Sequence, residues 1–215
     1  MNFDEVVARL EHLPAQLPEA PVELIPVRTD TGARGRPPAT PQATVAVRPA
    51  AVLVLLVPGD DGEAHVILTE RADRGGHHSG EVSFPGGATE SDDTDPVATA
   101  LREAAEEVGL DPVAAGVRIA GVLEPFWIPV SGFQVTPVLA VAARRPALLA
   151  SPDEVARILE APVGAFLPSA PIEIVHRTIR DWPLRYGAYR VDGLLVWGAT
   201  ARILGQLGAI LAANR

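Results

Sequence analysis

Three glutamates, Glu103, Glu106 and Glu107, stand three and four positions apart in Leu101-Arg102-Glu103-Ala104-Ala105-Glu106-Glu107. On an α-helix that spacing brings their carboxylates onto one surface. Carboxylate oxygens so gathered suit a hard cation such as Mg²⁺, which takes oxygen ligands from protein, water and substrate phosphates. Like-charged neighbours cost a helix only about 0.2–0.5 kcal/mol per pair, so the same heptapeptide also reads as a solvated helix of strong helix formers. Context separates the two. Phe84-Pro85-Gly86-Gly87 brings a strand end to a turn beside an acidic loop, Glu90 to Asp95, and the helix then presents its carboxylates. The glycines let the backbone pass close to a bound group.

The elements that must hold these residues are well punctuated. Val97, Leu101, Ala104, Ala105 and Val108 recur at helical spacing, with Asp95 as N-cap, Pro96 at the first helical position and Gly109 as a left-handed terminator. Upstream, the apolar run Ala50 to Val57, the turn Pro58 to Gly62 and a second run, His65 to Leu68, predict a hairpin. Val82 to Phe84 predicts another strand, as do Val117 to Leu123, Phe133 to Val141, Arg180 to Tyr189 and Leu194 to Trp197. A final helix spans roughly Ala199 to Ala213. Strands before, between and after two helices predict an α/β sandwich with a mixed sheet.

Ahead of this core, residues 3 to 13 predict a short amphipathic helix, and Pro14 to Pro49 carries eight prolines. Residues 1–49 therefore read as an N-terminal helix and Pro-rich arm, and 50–215 as one domain. The net charge of -9 argues against nucleic acid as a partner. The chain has no cysteine, which removes disulfides, zinc-thiolate sites and cysteine nucleophiles. The start Met1-Asn2-Phe3-Asp4-Glu5 lacks the pattern of a secretory signal, so a cytoplasmic location is expected. Leu194 to Ala213 is apolar but interrupted by Arg202 and Gln206, which predicts a buried helix and no membrane association. That helix and the arm each leave room for a homodimer.

Gly86-Gly87 followed by Arg102-Glu103-Ala104-Ala105-Glu106-Glu107-Val108-Gly109-Leu110 resembles the Nudix box, whose second half is matched at every fixed position. The spacing from Gly87 to Arg102 is one residue longer than the common box, and Asp92-Asp93-Thr94-Asp95 stands where the box has a glutamate. A branch similar to coenzyme A pyrophosphatases shares the longer spacing. Leu68-Thr69-Glu70-Arg71 and His78-Ser79-Gly80-Glu81-Val82-Ser83-Phe84 look like its additional motif, with Gly75-Gly76 replacing a Leu-Arg pair. Ser131 to Val138, Pro152 to Val155 and Val196 to Ala201 extend the likeness, which covers about residues 50 to 205.

The resemblance implies a Nudix-type α/β/α sandwich and a hydrolase acting on a phosphoric anhydride. It implies that Glu103 and Glu107 bind Mg²⁺ or Mn²⁺, with Glu106 as a further ligand or water-orienting group and Arg102 holding the glutamates in place. The implied substrate is coenzyme A or an acyl-coenzyme A, cut to a phosphopantetheine derivative and 3',5'-ADP. Arg71, Arg74, His78, Gly86 and Gly87 are the implied substrate contacts. The general base stays open among Glu103, Glu106, Glu90, Glu124 and Glu154. Two alternatives accompany this reading: a Nudix hydrolase for ADP-ribose, NADH or a nucleoside triphosphate, favoured by Gly75-Gly76, and a catalytically silent nucleotide-binding module.

Overall fold

The run Arg48–Pro58 is apolar at successive positions, and its side chains divide between two cores by strict alternation. Ala51, Leu53, Leu55 and Val57 enter one cluster, Val54 and Leu56 the other. A strand buried on both faces in this way must be central in its sheet and covered by helices above and below. The computed structural model of the chain describes residues 1–33, 47–72, 80–128, 131–179 and 181–213. In chain order its elements are α1 (Phe3–Leu10), a 3₁₀ turn (Val22–Leu24), β1 (Val27–Arg28), β2 (Arg48–Pro58), β3 (Ala64–Arg71), β4 (Val82–Ser83), β5 (Gly86–Ala88), α2 (Pro96–Val108) and α3 (Pro112–Ala115). There follow β6 (Val117–Val122), β7 (Phe126–Ile128), β8 (Phe133–Ala142), β9 (Val155–Pro162), a second 3₁₀ turn (Val163–Phe166), β10 (Glu173–Ile179), β11 (Trp182–Val191), β12 (Leu194–Val196) and α4 (Gly198–Ala213).

The main sheet is mixed. β2 and β8 run parallel, and every other pairing within it is antiparallel. Ala100, Ala104 and Val108 of α2 cover one face. Residues of α1 and α4 cover the other, among them Val6, Leu10, Ile203, Leu204 and Leu207. The expected α/β sandwich with a mixed sheet is thus observed. A smaller sheet, β1-β11-β10 with β12 on β11, stands beside it.

One edge of β2 is occupied by β8 over its whole first part. The other edge is shared: β3 pairs it at Leu56 to Pro58, and β5 pairs it at Ala50 to Val52. β3 turns away and takes β4 at Thr69 and Glu70 instead. The sheet therefore splits, and Phe84-Pro85 bridges the split, with the Leu53 N–H donating to the Pro85 carbonyl at 2.8 Å.

Proline density predicts little regular structure from 14 to 49, yet much of its first half is packed on the domain. Leu24 is fully buried, β1 pairs β11, and the Gln206 amide donates to the Pro18 carbonyl. A Cβ on Gly205 would meet Leu24 at 2.5 Å and Pro21 at 2.9 Å, so the glycine lets this segment lie against α4. Residues 34–46 of the arm lie outside the described residues. Leu24→Ala removes a side chain that the core encloses and is expected to cost about 2–5 kcal/mol, read as a lowered urea midpoint with unchanged slope. A segment not integral to the core would give no shift.

Candidate functional site

Helix α2 begins as its sequence requires, with the Asp95 carboxylate accepting from the Ala98 N–H at 2.9 Å, and ends at Gly109 with φ 65°. Its apolar stripe fixes its rotation on the sheet, and that rotation decides which glutamates face inward. Glu107 is drawn under β5 and is only 4% exposed. The Glu103 side chain is 14% exposed and that of Glu106 58%. The three carboxylates thus share a helix flank but not an environment.

The two glycines of β5 explain how the inner pair is reached. Gly86 has φ 154°, and a Cβ there would lie 2.4 Å from the Ala51 carbonyl oxygen. Its N–H donates to Glu107 Oε2 at 3.1 Å. At Gly87 a Cβ would stand 2.5 Å from Glu103 Oε1. A side chain at Gly86 would thus push β5 off β2, and one at Gly87 would displace the Glu103 carboxylate.

Arg102 ties the outer residues together. Its Nε and Nη2 donate to the two Asp93 oxygens at 3.1 and 3.0 Å, Nη2 also to the Ala88 carbonyl at 2.9 Å, and Nη1 to Glu103 Oε1 and Glu106 Oε2, each at 3.1 Å. These hydrogen bonds hold the Asp93 carboxyl well below the usual carboxylate range. They orient Glu103, whose own value is raised by burial against the pull of Arg102. Arg102 is accordingly a positioning residue. Lysine keeps the charge but cannot reproduce the planar fork, so Arg102→Lys is expected to free Glu103 and to weaken any divalent-cation binding by the protein about tenfold, read calorimetrically with Mg²⁺. An unchanged affinity would remove the positioning role.

Where the sheet splits, a cleft of about 650 Å³ opens, lined by Glu103, Glu107, Asp153 and Glu154 on one side, with Arg71 and both glycines at its neck. Burial pushes Glu107 up to about 7, opposed by the Gly86 N–H and Arg71 and reinforced by the charges of Glu103 and Glu154. Of the residues singled out in the sequence, Glu103, Glu107, Glu154, Arg71, Gly86 and Gly87 line this cleft. Glu106, Arg102 and Glu90 gather at its outer rim, Glu90 3.9 Å from Arg102, and Glu124 is exposed and absent from the lining. Arg74 and His78 lie outside the described residues.

On the opposite wall and floor, Phe133 and Val135 fall within the likened stretch Ser131 to Val138, and Ala199 and Thr200 within Val196 to Ala201, while Ala50, Val52 and Ile128 were not singled out as site residues. Ala50 and Val52 of β2, Phe133 and Val135 of β8 and Ile128 of β7 form a continuous apolar sheet face. Period-two alternation from Ala50 marks only the β2 part of this face. Ala199, Thr200 and Ile203 of α4 close the far side. The Thr200 hydroxyl donates to the Val82 carbonyl at 3.0 Å and pins the first turn of α4 to β4.

Among the described residues no group of three His, Asp or Glu side chains is already gathered to hold a metal ion. A pair of carboxylates beside a roomy cleft nevertheless fits Mg²⁺, which keeps several waters and takes one or two carboxylates plus substrate phosphates. A buried glutamate with one hydrogen-bond donor and a raised pKa is a group that a cation would relieve. Glu107 and Glu103 are the residues that would hold it. No helix among the described residues is long and apolar enough to cross a membrane.

Residues 47–160 match the family model of the NUDIX domain. The chain is 40% identical over 164 residues to "Nudix hydrolase 15, mitochondrial" of Arabidopsis thaliana, covering 72% of this chain and 55% of that protein. It is likewise 40% identical over 173 residues to "Nudix hydrolase 22, chloroplastic" of the same plant, covering 75% and 55%. The chain thus spans about half the length of these two relatives. A bacterial relative, "Uncharacterized Nudix hydrolase NudL" of Salmonella paratyphi B, is 40% identical over 173 residues, covering 76% of this chain and 83% of that one. Among solved structures, a Nudix hydrolase from M. Smegmatis, RenU, shares the fold with TM-score 0.53 and 20% identity, over 88% of this chain and 94% of that one.

Proposed function

Since the chain belongs to the NUDIX domain family, we propose that it is a divalent-metal-dependent diphosphatase that cleaves coenzyme A or acyl-coenzyme A to a phosphopantetheine derivative and 3',5'-ADP. The observation that carries this reading is the cleft itself, which sets the buried Glu107 and the half-buried Glu103 against an apolar sheet face at the split of the main sheet. A diphosphate joining two dissimilar halves needs both: an acidic end to hold Mg²⁺ or Mn²⁺ against the phosphates, and a wall that accepts uncharged groups. The residues likened to the coenzyme A branch, Thr69 and Arg71 on β3 and Ser83 to Gly87, frame the neck of this cleft or adjoin it.

When bound, the cation neutralises phosphoryl charge and lowers the pKa of an attacking water. The chain's own residues do the rest. Gly86 and Gly87 let phosphate oxygens approach the backbone, and Arg71 offers a guanidinium to them. Glu103 and Glu154 are the cleft carboxylates placed to accept the proton of the water, and Glu107 remains under β5 to anchor the ion. Glu106, held by Arg102 at the rim, keeps that guanidinium oriented toward Glu103.

A second reading, a Nudix hydrolase for ADP-ribose, NADH or a nucleoside triphosphate, is favoured by Gly75-Gly76. The two are separated by incubating the protein with Mg²⁺ or Mn²⁺ and a panel of coenzyme A, an acyl-coenzyme A, ADP-ribose, NADH and a nucleoside triphosphate, with products identified by mass spectrometry. Selective release of 3',5'-ADP from the coenzyme A compounds is the expected result. Cleavage of another substrate alone would retain the hydrolase and discard the substrate, and no cleavage at all would leave a nucleotide-binding module.

A further inference from the structure

Charge is divided along the cleft. The carboxylates stand on the α2 and β9 side, while two arginines stand on the aromatic side, and neither shows a carboxylate partner among the described residues. The Arg48 guanidinium lies 4.2 Å over the Phe133 ring and that of Arg202 4.5 Å over the Phe126 ring. Both arginines are exposed.

Strand register sets these cations beside the cleft. Arg48 pairs with Phe133 and shares its face of β2 with Ala50 and Val52, two positions apart each, and all three neighbours line the cleft. Phe126 pairs with Val135 and shares its face of β7 with Ile128, and Val135 and Ile128 also line it. Arg202 follows the cleft residue Ala199 by three positions on α4, which places it on the same side of that helix. The aromatic rings hold each guanidinium by cation–π contact, which does not use its N–H donors. Guanidinium N–H groups with no carboxylate partner among the described residues suit a polyanion arriving from solvent.

We propose that Arg48 and Arg202 form a second anion site that selects nucleotides carrying a phosphate monoester in addition to the cleaved diphosphate. The metal end handles the diphosphate, so these arginines set specificity and take no part in the bond cleavage. This deepens the coenzyme A reading and rests on it for orientation in the cleft, because the 3'-phosphate of the adenosine half supplies such a group.

The test reads binding without turnover. Metal-free protein in EDTA is titrated calorimetrically with 3',5'-ADP and with 5'-AMP, for wild type, Arg48→Gln, Arg202→Gln and the double variant. Charged hydrogen bonds of this kind predict about tenfold tighter binding of the bisphosphate by wild type, and loss of that preference in the double variant with 5'-AMP affinity unchanged. Equal affinity for the two nucleotides in wild type, or a preference that survives in a folded double variant, overturns the site. In parallel, turnover of coenzyme A and dephospho-coenzyme A is measured with Mg²⁺. Selective bisphosphate binding without coenzyme A cleavage would retire the substrate and leave the anion site standing. Coenzyme A cleavage with an unaltered preference over dephospho-coenzyme A in the double variant would do the reverse.

Discussion

Glu107→Gln is expected to lower kcat by at least about a thousandfold, since it removes the buried carboxylate proposed to anchor the ion, on which metal stabilisation of several kcal/mol would depend. Glutamine preserves the shape and can still accept the Gly86 N–H bond, so circular dichroism and the urea slope should match wild type. The metal-free proteins should differ in the opposite direction. Glu107 is buried and its folded value lies at about 7, above the ordinary value of about 4.3 that the unfolded chain presents. Between those values the unfolded state binds fewer protons than the folded one, so wild-type stability falls as pH rises from about 4.3 to 7 and is level beyond. The loss amounts to about 4 kcal/mol, and a glutamine does not incur it. Chemical denaturation in EDTA should therefore find Glu107→Gln more stable than wild type at pH 8 and similar at pH 4. Near-normal turnover in this variant at saturating Mg²⁺ would falsify the placement of the ion at Glu107.

Gly86→Ala carries the second large effect. The added methyl would stand 2.4 Å from the Ala51 carbonyl and 2.6 Å from Val52 Cα, both backbone atoms of the central strand, at a φ of 154° that L-residues rarely adopt. Neither side can yield by a rotamer change. β5 must lift from β2, and its lift withdraws the N–H from Glu107 while moving the neck of the cleft. Displacements of about 1 Å at a reacting centre cost about a hundredfold, and kcat is expected to fall by at least that. Gly87→Ala is the informative contrast. Its methyl meets only the carboxylate of Glu103, the end of a side chain, so the variant should fold at nearly wild-type stability and show chiefly weaker binding of the divalent cation. Thermal melts that rank the two variants equally would contradict this distinction between backbone and side-chain collisions.

Much of the framework was readable because the governing signals were local. Asp95, Pro96 and Gly109 bound α2 where their capping chemistry demands, and the Pro58–Gly62 turn joins β2 to β3. The short strands escaped detection for physical reasons. β5 is Gly86–Ala88, with no β-branched residue, and exists because β2 offers it an open edge. β9 and β10 have exposed residues at several positions, so their alternation is not apolar against polar, and their pairing to β3 and β11 supplies the order.

The site shows the same division. Helical spacing places Glu103, Glu106 and Glu107 on one flank, but it cannot say that Glu107 slides beneath β5 while Glu106 stays at the rim. That depends on the rotation of α2 against Ala51, Leu53 and Leu55. Asp93, the principal partner of Arg102, was visible only as part of an acidic loop. The apolar floor comes from three strands distant in sequence, so no single window displays it.

The parallel pairing of β2 with β8 joins residues 85 positions apart, from Arg48 with Phe133 to Leu56 with Val141, and the glutamate helix lies inside the loop that this pairing closes. Closing so long a loop is an entropic step that precedes its reward. During synthesis, α2 emerges well before its sheet can form, and α4, which completes the cleft, comes later still. Catalytic competence is therefore expected to arise late and all at once, with no functional half-folded stage.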